Sequence, residues 1–437
     1  MKLSIYIHLF ERDSVCYLFN SKTSFFSTID RSLYEYLYDG EFDKMPNDII
    51  QTLKDKEIIV EDNNVYDFYY EKKLYYFSSI GNLETLELVI APTTSCNFAC
   101  PYCFEGEKQN KRMSKETIND LVSFINNFDN TRKLNITWYG GEPLLAFDIM
   151  KDIITKVRSD CRIGTISQSI VTNGYLINDE VVNFMKTNKF KSIQITFDGI
   201  REHHNQTRCL KGNGKPSFDK ILANVDRLVE DLPNSKEISL RVNVNKKNEG
   251  DFFAMHKSLS ERYSGKDIVI YPGFIREEGK GNSQMCYSSL FGKSRLDFYK
   301  KLVMKGMEVD FYPKVQDKCC MTCRNNSFII GPEGEMYKCW SDFNNPDKIV
   351  GYIKNNSMIN PQLLSRYVYD ATIFNDPKCK ECKVFPICDG GCSWFRYQNA
   401  FGGKKYDLCT FLSDDACLEE CLLKDRPKLE KVELKAY

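Results

Sequence analysis

The middle of the chain alternates between two kinds of hydrophobic pattern. Short apolar runs rich in β-branched residues predict strands, and longer segments with apolar residues at i, i+3, i+4 and i+7 predict amphipathic helices. The predicted strands are Leu86–Ile90, Leu134–Tyr139, Ile166–Thr172, Ser192–Phe197, Ile238–Asn245 and Ile268–Phe274. Ser114 and Ser217 directly precede two helical segments, where they are candidate N-caps. Strands and helices in alternation predict an α/β domain with a parallel sheet over residues 84–305.

The two ends of the chain have different patterns. The elements predicted within residues 1–80 are a hairpin from Lys2–His8 and Val15–Phe19, helices at Arg31–Tyr38 and Asn47–Lys54, and a strand at Glu57–Val60. Their order is the outline of a small winged-helix module. Residues 306–437 are rich in loops and contain eleven of the 18 cysteines. A segment with so few long apolar patterns builds little core, so it needs cross-links of some kind.

Composition narrows the classes of protein. The 60 basic residues balance the 60 acidic ones, which argues against nucleic acid as the main partner. No run of about 18 apolar residues is present, so no membrane span is expected. The apolar stretch Leu3–Phe10 meets Glu11 and Arg12 without a small-residue cleavage site, so it is a poor signal peptide. We therefore expect a reduced, metal-binding cytoplasmic protein rather than a secreted disulfide protein.

Three cysteines after the first predicted strand are the strongest chemical signal. Cys96, Cys100 and Cys103 have the spacing C-x3-C-x2-C. Three thiolates are one too few for a closed zinc site, and the chain has only four histidines. They suit a 4Fe–4S cluster that leaves one iron open to a ligand. A partial zinc site and three core cysteines are the alternatives.

This motif and the ends of the next strands resemble the radical S-adenosylmethionine (SAM) enzymes. The second strand ends in Tyr139-Gly140-Gly141-Glu142-Pro143, the third in Thr172-Asn173-Gly174 and the fourth in Phe197-Asp198-Gly199. The resemblance covers about residues 84–300 and implies a partial (β/α)6 barrel of the TIM type. It implies that the cluster at the three cysteines binds SAM. The residues that it implies for contacts with SAM are Tyr102, Gly140, Gly141, Glu142, Asn173, Asp198 and Arg208.

The C-terminal cysteines resemble the SPASM extension of peptide- and protein-modifying radical SAM enzymes. That extension holds two auxiliary 4Fe–4S clusters, which would make three clusters in all. The resemblance implies an outer cluster held by Cys379, Cys382, Cys388 and Cys409, and an inner cluster held by Cys320, Cys323, Cys339 and Cys392. Cys319 is adjacent to Cys320, so the choice between these two stays open. Taken alone, the paired C-x2-C motifs are also compatible with a zinc ribbon.

Other cysteines give no such signal. Cys16, Cys161, Cys209 and Cys286 are isolated, and we expect them in the core. Cys417 and Cys421 are spaced for one face of a packed helix.

The winged-helix outline of residues 1–80 resembles the recognition element that binds leader peptides in ribosomal peptide biosynthesis. In that family the leader adds as a strand beside the hairpin and packs on the last helix. Here this implies a site at about Val15–Phe19 and Asn47–Lys54. A plain packing or dimerisation domain is the alternative.

Together the resemblances imply a radical SAM maturase of a ribosomal precursor peptide. It would bind the leader and the core of the precursor and form thioether or carbon–carbon cross-links, with an electron donor such as flavodoxin or ferredoxin. An anaerobic sulfatase-maturing enzyme is the first alternative. Those enzymes have an aspartate directly after the cysteine that matches Cys339, whereas this chain has Trp340, with Asp342 two residues further on.

A zinc-binding peptide-recognition scaffold is the second alternative. The sequence identifies no catalytic base. Tyr271, Arg276, Glu277 and Glu278 lie on or after the sixth strand, but charges on surface loops are usually only solvated.

Overall fold

The computed structural model describes residues 1–81, 83–103, 105, 109–232, 238–244, 248–275, 293–305, 307, 313–316, 320–388 and 390–424. Contacts divide the chain into two units. The first, which we call the terminal unit, comprises Met1–Ile80, Ser289–Cys323 and Tyr367–Tyr437. The second, the barrel unit, comprises Gly81–Ser288 and Arg324–Arg366. The predicted zone 306–437 is therefore shared between the two units, and Cys339 belongs to the barrel unit.

The terminal unit begins with a small sheet and three helices. The elements are β1 (Lys2–Leu3), β2 (Ile7–Arg12), β3 (Val15–Asn20), β4 (Phe25–Ile29), α1 (Arg31–Asp39), α2 (Asn47–Asp55), β5 (Ile59–Val60) and α3 (Asp67–Ile80). Strands β2, β3 and β4 form an antiparallel sheet in that order, and β1 pairs with β5. The two predicted helices are confirmed, whereas β4 and α3 were not predicted.

The first strand of the hairpin is Ile7–Arg12, so the predicted Lys2–His8 strand is wrong. Leu3 pairs with Ile59, and the chain then turns, since the Ile7 amide donates to the Ser4 carbonyl oxygen at 3.0 Å. The hairpin closes through Asp13 and Ser14, whose φ angles of 52° and 60° suit a two-residue turn.

The predicted place for strand addition is also wrong. Strand β3, Val15–Asn20, lies between β2 and β4 and pairs with both. A peptide therefore has no open edge beside Val15–Phe19. Within this three-stranded sheet, the edges belong to β2 and β4.

Both faces of the small sheet are buried within the terminal unit. On one face Leu18 packs with Leu33 and Leu53, which come from α1 and α2. On the other face Phe10, Tyr17, Phe19 and Phe26 pack against C-terminal residues that include Val384, Leu418 and Leu422. The first 80 residues therefore share a hydrophobic core with the C-terminal segment.

Six strands of the barrel unit pair in sequence order, and all neighbouring pairs are parallel. The elements are β6 (Thr85–Ile90), α4 (Lys115–Asn126), β7 (Lys133–Trp138), α5 (Phe147–Asp160), β8 (Thr165–Thr172), α6 (Asp179–Thr187), β9 (Ser192–Phe197), α7 (Arg201–Thr207), α8 (Phe218–Asp231), β10 (Ile238–Val244), α9 (Glu249–Arg262) and β11 (Val269–Phe274). Each strand lies within a residue of its predicted bounds. The α/β fold with a central, mostly parallel sheet is confirmed.

Four short strands extend this sheet beyond β6 and were not predicted. They follow α10 (Lys293–Met304) and are β12 (Ser327–Ile330), β13 (Glu335–Tyr337), β14 (Gly351–Tyr352) and β15 (Ser357–Met358). Strand β12 is parallel to β6, and the remaining pairs are antiparallel. The last helices are α11 (Pro361–Ser365), α12 (Pro377–Lys380), α13 (Ser393–Phe401) and α14 (Asp415–Lys424). In the described parts of the chain, no helix has both the length and the apolar character that a membrane crossing requires.

The two predicted N-cap serines behave differently. The Ser114 hydroxyl accepts the Thr117 amide at 3.1 Å, as predicted. The Ser217 hydroxyl does not cap α8, because it donates instead to the Arg208 carbonyl oxygen at 2.6 Å.

The isolated cysteines divide into three groups. Cys16, Cys417 and Cys421 are buried in the core, as predicted. Cys161 and Cys209 are only partly buried. Cys286 lies outside the described residues.

Candidate functional site

The loop that follows β6 carries Cys96, Cys100 and Cys103, and we call residues 91–103 the cluster loop. Backbone contacts hold it on two sides. The Thr94 amide donates to the Lys111 carbonyl oxygen at 3.0 Å, and the Lys211 amide donates to the Asn97 carbonyl oxygen at 2.8 Å. The three thiols are therefore presented from a fixed backbone at the carboxyl end of a central strand, where parallel α/β proteins place their sites.

The two glycines after β7 allow a close approach to the cluster loop. A Cβ atom on Gly140 would lie 2.4 Å from the Thr93 carbonyl oxygen, and one on Gly141 would lie 2.2 Å from that of Ser95. The backbone is also left-handed at Gly140, with φ at 111°. The expected contact of these glycines with SAM stays a prediction. In the structure they also approach the backbone that carries the cysteines.

Glu142 joins the ends of two strands. Its Oε1 accepts the Thr172 hydroxyl at 2.7 Å, and its Oε2 accepts the Asn173 amide at 2.7 Å. Burial raises the pKa of Glu142, while the bonds from Asn173, Thr172 and Leu144 act to lower it. The Asn173 side chain then donates to Asn97 Oδ1 at 2.7 Å, which connects the end of β8 to the cluster loop.

Tyr102, Asp198 and Arg208, all predicted as site residues, form one network, in which Asp198 and Arg208 are buried and Tyr102 is partly buried. The Tyr102 hydroxyl lies 2.7 Å from Asp198 Oδ1 and 2.5 Å from Oδ2. Arg208 Nη1 donates to the Tyr102 oxygen at 3.1 Å. Burial raises the pKa of Tyr102 well above its usual value, and the charge of Asp198 raises it further, so Tyr102 stays a neutral donor.

Two residues of this network were missed in the sequence. Asn243 donates from Nδ2 to Asp198 Oδ1 at 3.0 Å, and the Thr207 hydroxyl donates to Asp198 Oδ2 at 2.6 Å. Asn243 follows the apolar residues of β10 near its carboxyl end, and that position was the available signal. The network fixes Tyr102, and therefore the backbone of Cys103 beside it.

Unsatisfied buried donors indicate what this site is built to bind. Within the described residues, Arg208 Nε and Asn97 Nδ2 are buried and have no hydrogen-bond partner. Buried polar groups are normally paired, and a guanidinium group pairs best with a carboxylate. The residues present therefore fit a ligand that carries a carboxylate beside the cluster loop, as SAM does.

The second face of the central sheet is polar and partly exposed. Leu88, Ile136 and Ile195 lie on the buried face. Residues of the other face, which we call the inner face, include Thr137, Ser169, Gln194, Ser239, Arg241 and Tyr271. A complete TIM barrel fills this space with bulky apolar side chains. Here the space is polar and accessible, which suits a substrate.

Arg241 is a cation on this inner face. Its Nε donates to Asn243 Oδ1 at 2.9 Å, and a Cβ atom on Gly273 would lie 2.1 Å from the same Nε. The Tyr271 hydroxyl donates to Gln194 Oε1 at 2.6 Å. Arg276, Glu277 and Glu278, which follow β11, lie outside the described residues.

Cys339 follows β13 in the barrel unit and is buried. The ring of the next residue, Trp340, lies 4.3 Å from that of Tyr139, the residue before Gly140. Asp342 is 2% exposed, and its amide donates to the Cys339 carbonyl oxygen at 3.0 Å. The segment is positioned by Lys338, whose ammonium group donates to the Ser327 carbonyl oxygen at 2.6 Å.

The remaining predicted ligands lie in the terminal unit and form two neighbourhoods. In the first, burial raises the pKa of Cys320, and the charges of Cys323 and Cys392 add to this effect. Cys323 Sγ also lies 3.6 Å from the Ser393 hydroxyl. Three of the four cysteines assigned to the inner cluster are therefore neighbours, and Cys319 lies outside the described residues.

The second neighbourhood contains the four outer cysteines. Burial raises the pKa of Cys379 to about 11, and Cys388 is among the charges that raise it. Burial also raises the pKa of Cys409, and the charges of Asp407 and Cys382 raise it further. Arg396 Nη2 donates to Cys379 Sγ at 3.8 Å. Across the described ranges, no three His, Cys, Asp or Glu side chains are arranged to hold a single metal ion.

Comparison with known proteins identifies related chains. Residues 90–259 match the family described as the radical SAM superfamily. A cysteine-type anaerobic sulfatase-maturating enzyme of Clostridium novyi (strain NT) is 27% identical over 337 residues, which are 71% of this chain and 88% of that enzyme. The radical SAM cyclopropyl synthase TigE of Paramaledivibacter caminithermalis is 21% identical over 410 residues, which are 85% of this chain and 80% of TigE.

A solved structure has a similar fold. It is native anSMEcpe with bound AdoMet and the Cp18Cys peptide, with a TM-score of 0.57 and 20% sequence identity, covering 79% of this chain and 98% of that one. Identity at this level supports the fold alone. The predicted radical SAM fold is confirmed.

Proposed function

Since the chain contains a radical SAM domain, we propose that it is a maturase that forms thioether or carbon–carbon cross-links in a ribosomally made precursor peptide. The observation that carries the SAM-dependent part of the proposal is that two donors, Arg208 Nε and Asn97 Nδ2, are buried and unsatisfied at the loop of Cys96, Cys100 and Cys103. When bound there, a 4Fe–4S cluster and SAM supply one-electron cleavage of the sulfonium and a 5′-deoxyadenosyl radical that abstracts a hydrogen atom from the substrate.

The chain's own residues then have distinct tasks. Cys96, Cys100 and Cys103 hold the cluster, and Arg208 pairs with the carboxylate of SAM. Asp198 fixes Tyr102 through hydrogen bonds of 2.7 and 2.5 Å. Because this network is buried, the backbone beside Cys103 is held in one position before any ligand arrives, which reduces the cost of ordering the site.

The inner face is the proposed substrate surface. Its hydroxyl and amide groups and the Arg241 guanidinium suit the amides and carboxylates of a peptide. Arg241 is oriented by Asn243 at 2.9 Å. The relatives that modify proteins or peptides by name support this class of substrate.

The remaining cysteines are proposed to hold two auxiliary clusters. Cys379, Cys382, Cys388 and Cys409 would hold the outer one, and Cys320, Cys323, Cys339 and Cys392 the inner one. When bound, such clusters would supply an acceptor for the electron left after bond formation. Flavodoxin or ferredoxin in a reducing cytoplasm is the proposed donor to the SAM-binding cluster.

Residues 1–80 are proposed to bind the leader of the precursor. The edges of the small sheet at β2 and β4 are the places where main-chain hydrogen bonds to an added strand are available. This replaces the site expected beside β3.

Sulfatase maturation is the second candidate, because the Clostridium novyi relative carries that name and its alignment covers 71% of this chain, at 27% identity. Trp340 argues against it. An aspartate is expected directly after the cysteine that matches Cys339, and the nearest carboxylate in the following residues is the buried Asp342.

The test is an anaerobic reaction with the short precursor encoded beside the gene, with reductant and SAM, followed by mass spectrometry. We expect the peptide to lose two hydrogens for each link. The matched reaction uses a sulfatase peptide with its target cysteine. If that peptide alone reacts, losing two hydrogens and exchanging its thiol sulfur for an aldehyde oxygen, the cross-link proposal is wrong and the second candidate stands.

A further inference from the structure

The loop that carries Cys379, Cys382 and Cys388 packs against the first 80 residues within the terminal unit. We call residues 376–388 the outer loop. Tyr6 and Tyr69 form an apolar cluster with Phe374 and Phe385, and the partly buried Cys379 and Cys382 pack against this cluster. Two of the proposed ligands of the outer cluster therefore contact the N-terminal module.

Further contacts fix the outer loop to the same module. The Ser21 hydroxyl donates to the Lys383 carbonyl oxygen. The Lys380 ammonium group lies 4.4 Å from the centre of the Tyr66 ring. The Lys72 ammonium group lies 5.1 Å from that of Phe385. Hydrogen-bonding and cation–π contacts thus hold the loop at several points along its length.

Tyr6 is a residue of this interface with unused hydrogen-bonding capacity. It is 2% exposed, its ring packs edge-on against Phe68 at 5.4 Å, and its hydroxyl has no hydrogen-bond partner among the residues described. The partly buried Cys382 packs against the same cluster, so its thiol is a neighbour of the Tyr6 side chain.

A buried hydroxyl without a partner destabilises the folded state, so its persistence calls for a partner in the functional protein. Tyr69 provides the contrast. It belongs to the same cluster, but its hydroxyl already donates to the Phe374 carbonyl oxygen at 3.1 Å. Of these two tyrosines, only Tyr6 has a hydroxyl that is free to donate a hydrogen bond to a sulfur.

We propose that Tyr6 donates a hydrogen bond to the sulfur of Cys382 when the outer cluster is bound, and that the N-terminal module thereby sets the reduction potential of that cluster. This inference rests on the proposed pair of auxiliary clusters. Hydrogen bonds to cluster sulfurs are among the determinants of iron–sulfur potentials. A donor stabilises the more negative, reduced cluster, so its removal makes the potential more negative. Tyr6 is a positioning and tuning residue, because it acts on the cluster through its ligand.

The test uses the full-length chain with Cys96, Cys100 and Cys103 changed to alanine, so that only the auxiliary clusters contribute. A Cys409→Ser variant identifies the signal of the outer cluster. Potentials are measured by redox titration followed by electron paramagnetic resonance, for the parent, for Tyr6→Phe and for the control Tyr69→Phe. Iron content is measured for each variant.

We expect Tyr6→Phe to retain its iron and to shift only the outer potential, to a more negative value, whereas Tyr69→Phe leaves it unchanged. An exchangeable proton coupled to the outer cluster is expected by electron nuclear double resonance in the parent and is lost in Tyr6→Phe. Unchanged potential and unchanged proton coupling in Tyr6→Phe overturn the inference alone. A parent without auxiliary cluster signals overturns the proposed clusters, and the inference with them. If Tyr6→Phe loses iron, the parent protein still tests the inference. An exchangeable proton coupled to its outer cluster supports the inference, and the absence of that coupling overturns it.

Discussion

His204 shows at the residue scale how the site is held in one protonation state. It is fully buried, and burial lowers its pKa well below the usual value, with the charge of Arg208 lowering it further. Its Nδ1 accepts the Asp198 amide at 3.2 Å, and its Nε2 lies 3.0 Å from the Ser217 hydroxyl. Because Ser217 donates its own proton to Arg208, Nε2 is the donor, and one neutral tautomer satisfies both contacts.

This buried histidine makes stability depend on pH. In the unfolded chain His204 titrates near 6.5, whereas in the folded chain it stays neutral to a lower pH. Below about 6.5 the unfolded state therefore binds the additional proton, and the free energy of unfolding falls as the pH falls.

We expect the thermal midpoint of the wild type to drop between pH 7.5 and 5.5, and His204→Gln to show a smaller drop from a lower starting value. His256→Gln, at a half-buried site with a smaller lowering of the pKa, should change the slope less. Equal slopes for His204→Gln and the wild type would contradict this assignment.

At the element scale, the end of β7 and the cluster loop form one backbone assembly. The Cβ of an alanine at Gly141 would meet the Ser95 carbonyl oxygen at 2.2 Å, whereas one at Gly250 would have nothing within 4 Å. Backbone cannot move aside as a flexible side chain can, so Gly141→Ala should displace the loop that carries the cysteines. We expect this variant to lose about four irons and most SAM cleavage, while Gly250→Ala keeps both. Iron content and absorbance near 400 nm measure the outcome. Full iron in Gly141→Ala would show that the close approach is not needed to form the site.

Strand placement was predictable where apolar residues recur on one buried face. The strands β6 to β11 lie within a residue of their predicted bounds because their β-branched and other apolar residues recur at about every second position, which is typical of a strand with one covered face. Strands of two to four residues, such as β14, contain too few positions to show a period. The Lys2–His8 strand was wrong because Leu3 pairs with the distant Ile59, a contact that no local pattern contains. The polar inner face is visible in the alternation of Ser239, Arg241 and Asn243 with apolar residues, a signal separate from the apolar positions that locate the strand.

The site was predictable to the level of its motifs. Tyr102, Asp198 and Arg208 were identified from the family resemblance, and the structure brings them into one network. Asn243 and Thr207 carry no motif, since their role depends on which strand ends meet in space. The close approach of Gly140 and Gly141 to the backbone of the cluster loop is likewise a property of the packing, and the two-glycine motif alone does not predict it.

At the scale of the whole molecule, residues 1–80 belong to the same unit as the four cysteines assigned to the outer cluster. Removing them would expose the apolar partners of Phe19 and Phe26, among them Leu418 and Leu422, and would release the outer loop. We expect a chain without residues 1–80 to lose about four irons and to aggregate, whether or not the leader binds there. Size-exclusion chromatography with iron analysis measures this. A monomeric truncated chain with all its iron would show that the module is dispensable for the outer cluster.

The central claim is that Cys96, Cys100 and Cys103 hold the cluster at which SAM is cleaved. The most direct measurement is the anaerobic incubation of the iron-loaded protein with dithionite and SAM, with 5′-deoxyadenosine and methionine quantified by chromatography. We expect the wild type to form both products, and the Cys96→Ala/Cys100→Ala/Cys103→Ala variant to form neither while it keeps about eight irons in the auxiliary clusters. Wild-type protein that carries its iron and forms no 5′-deoxyadenosine, or a triple variant that forms as much as the wild type, would contradict the account.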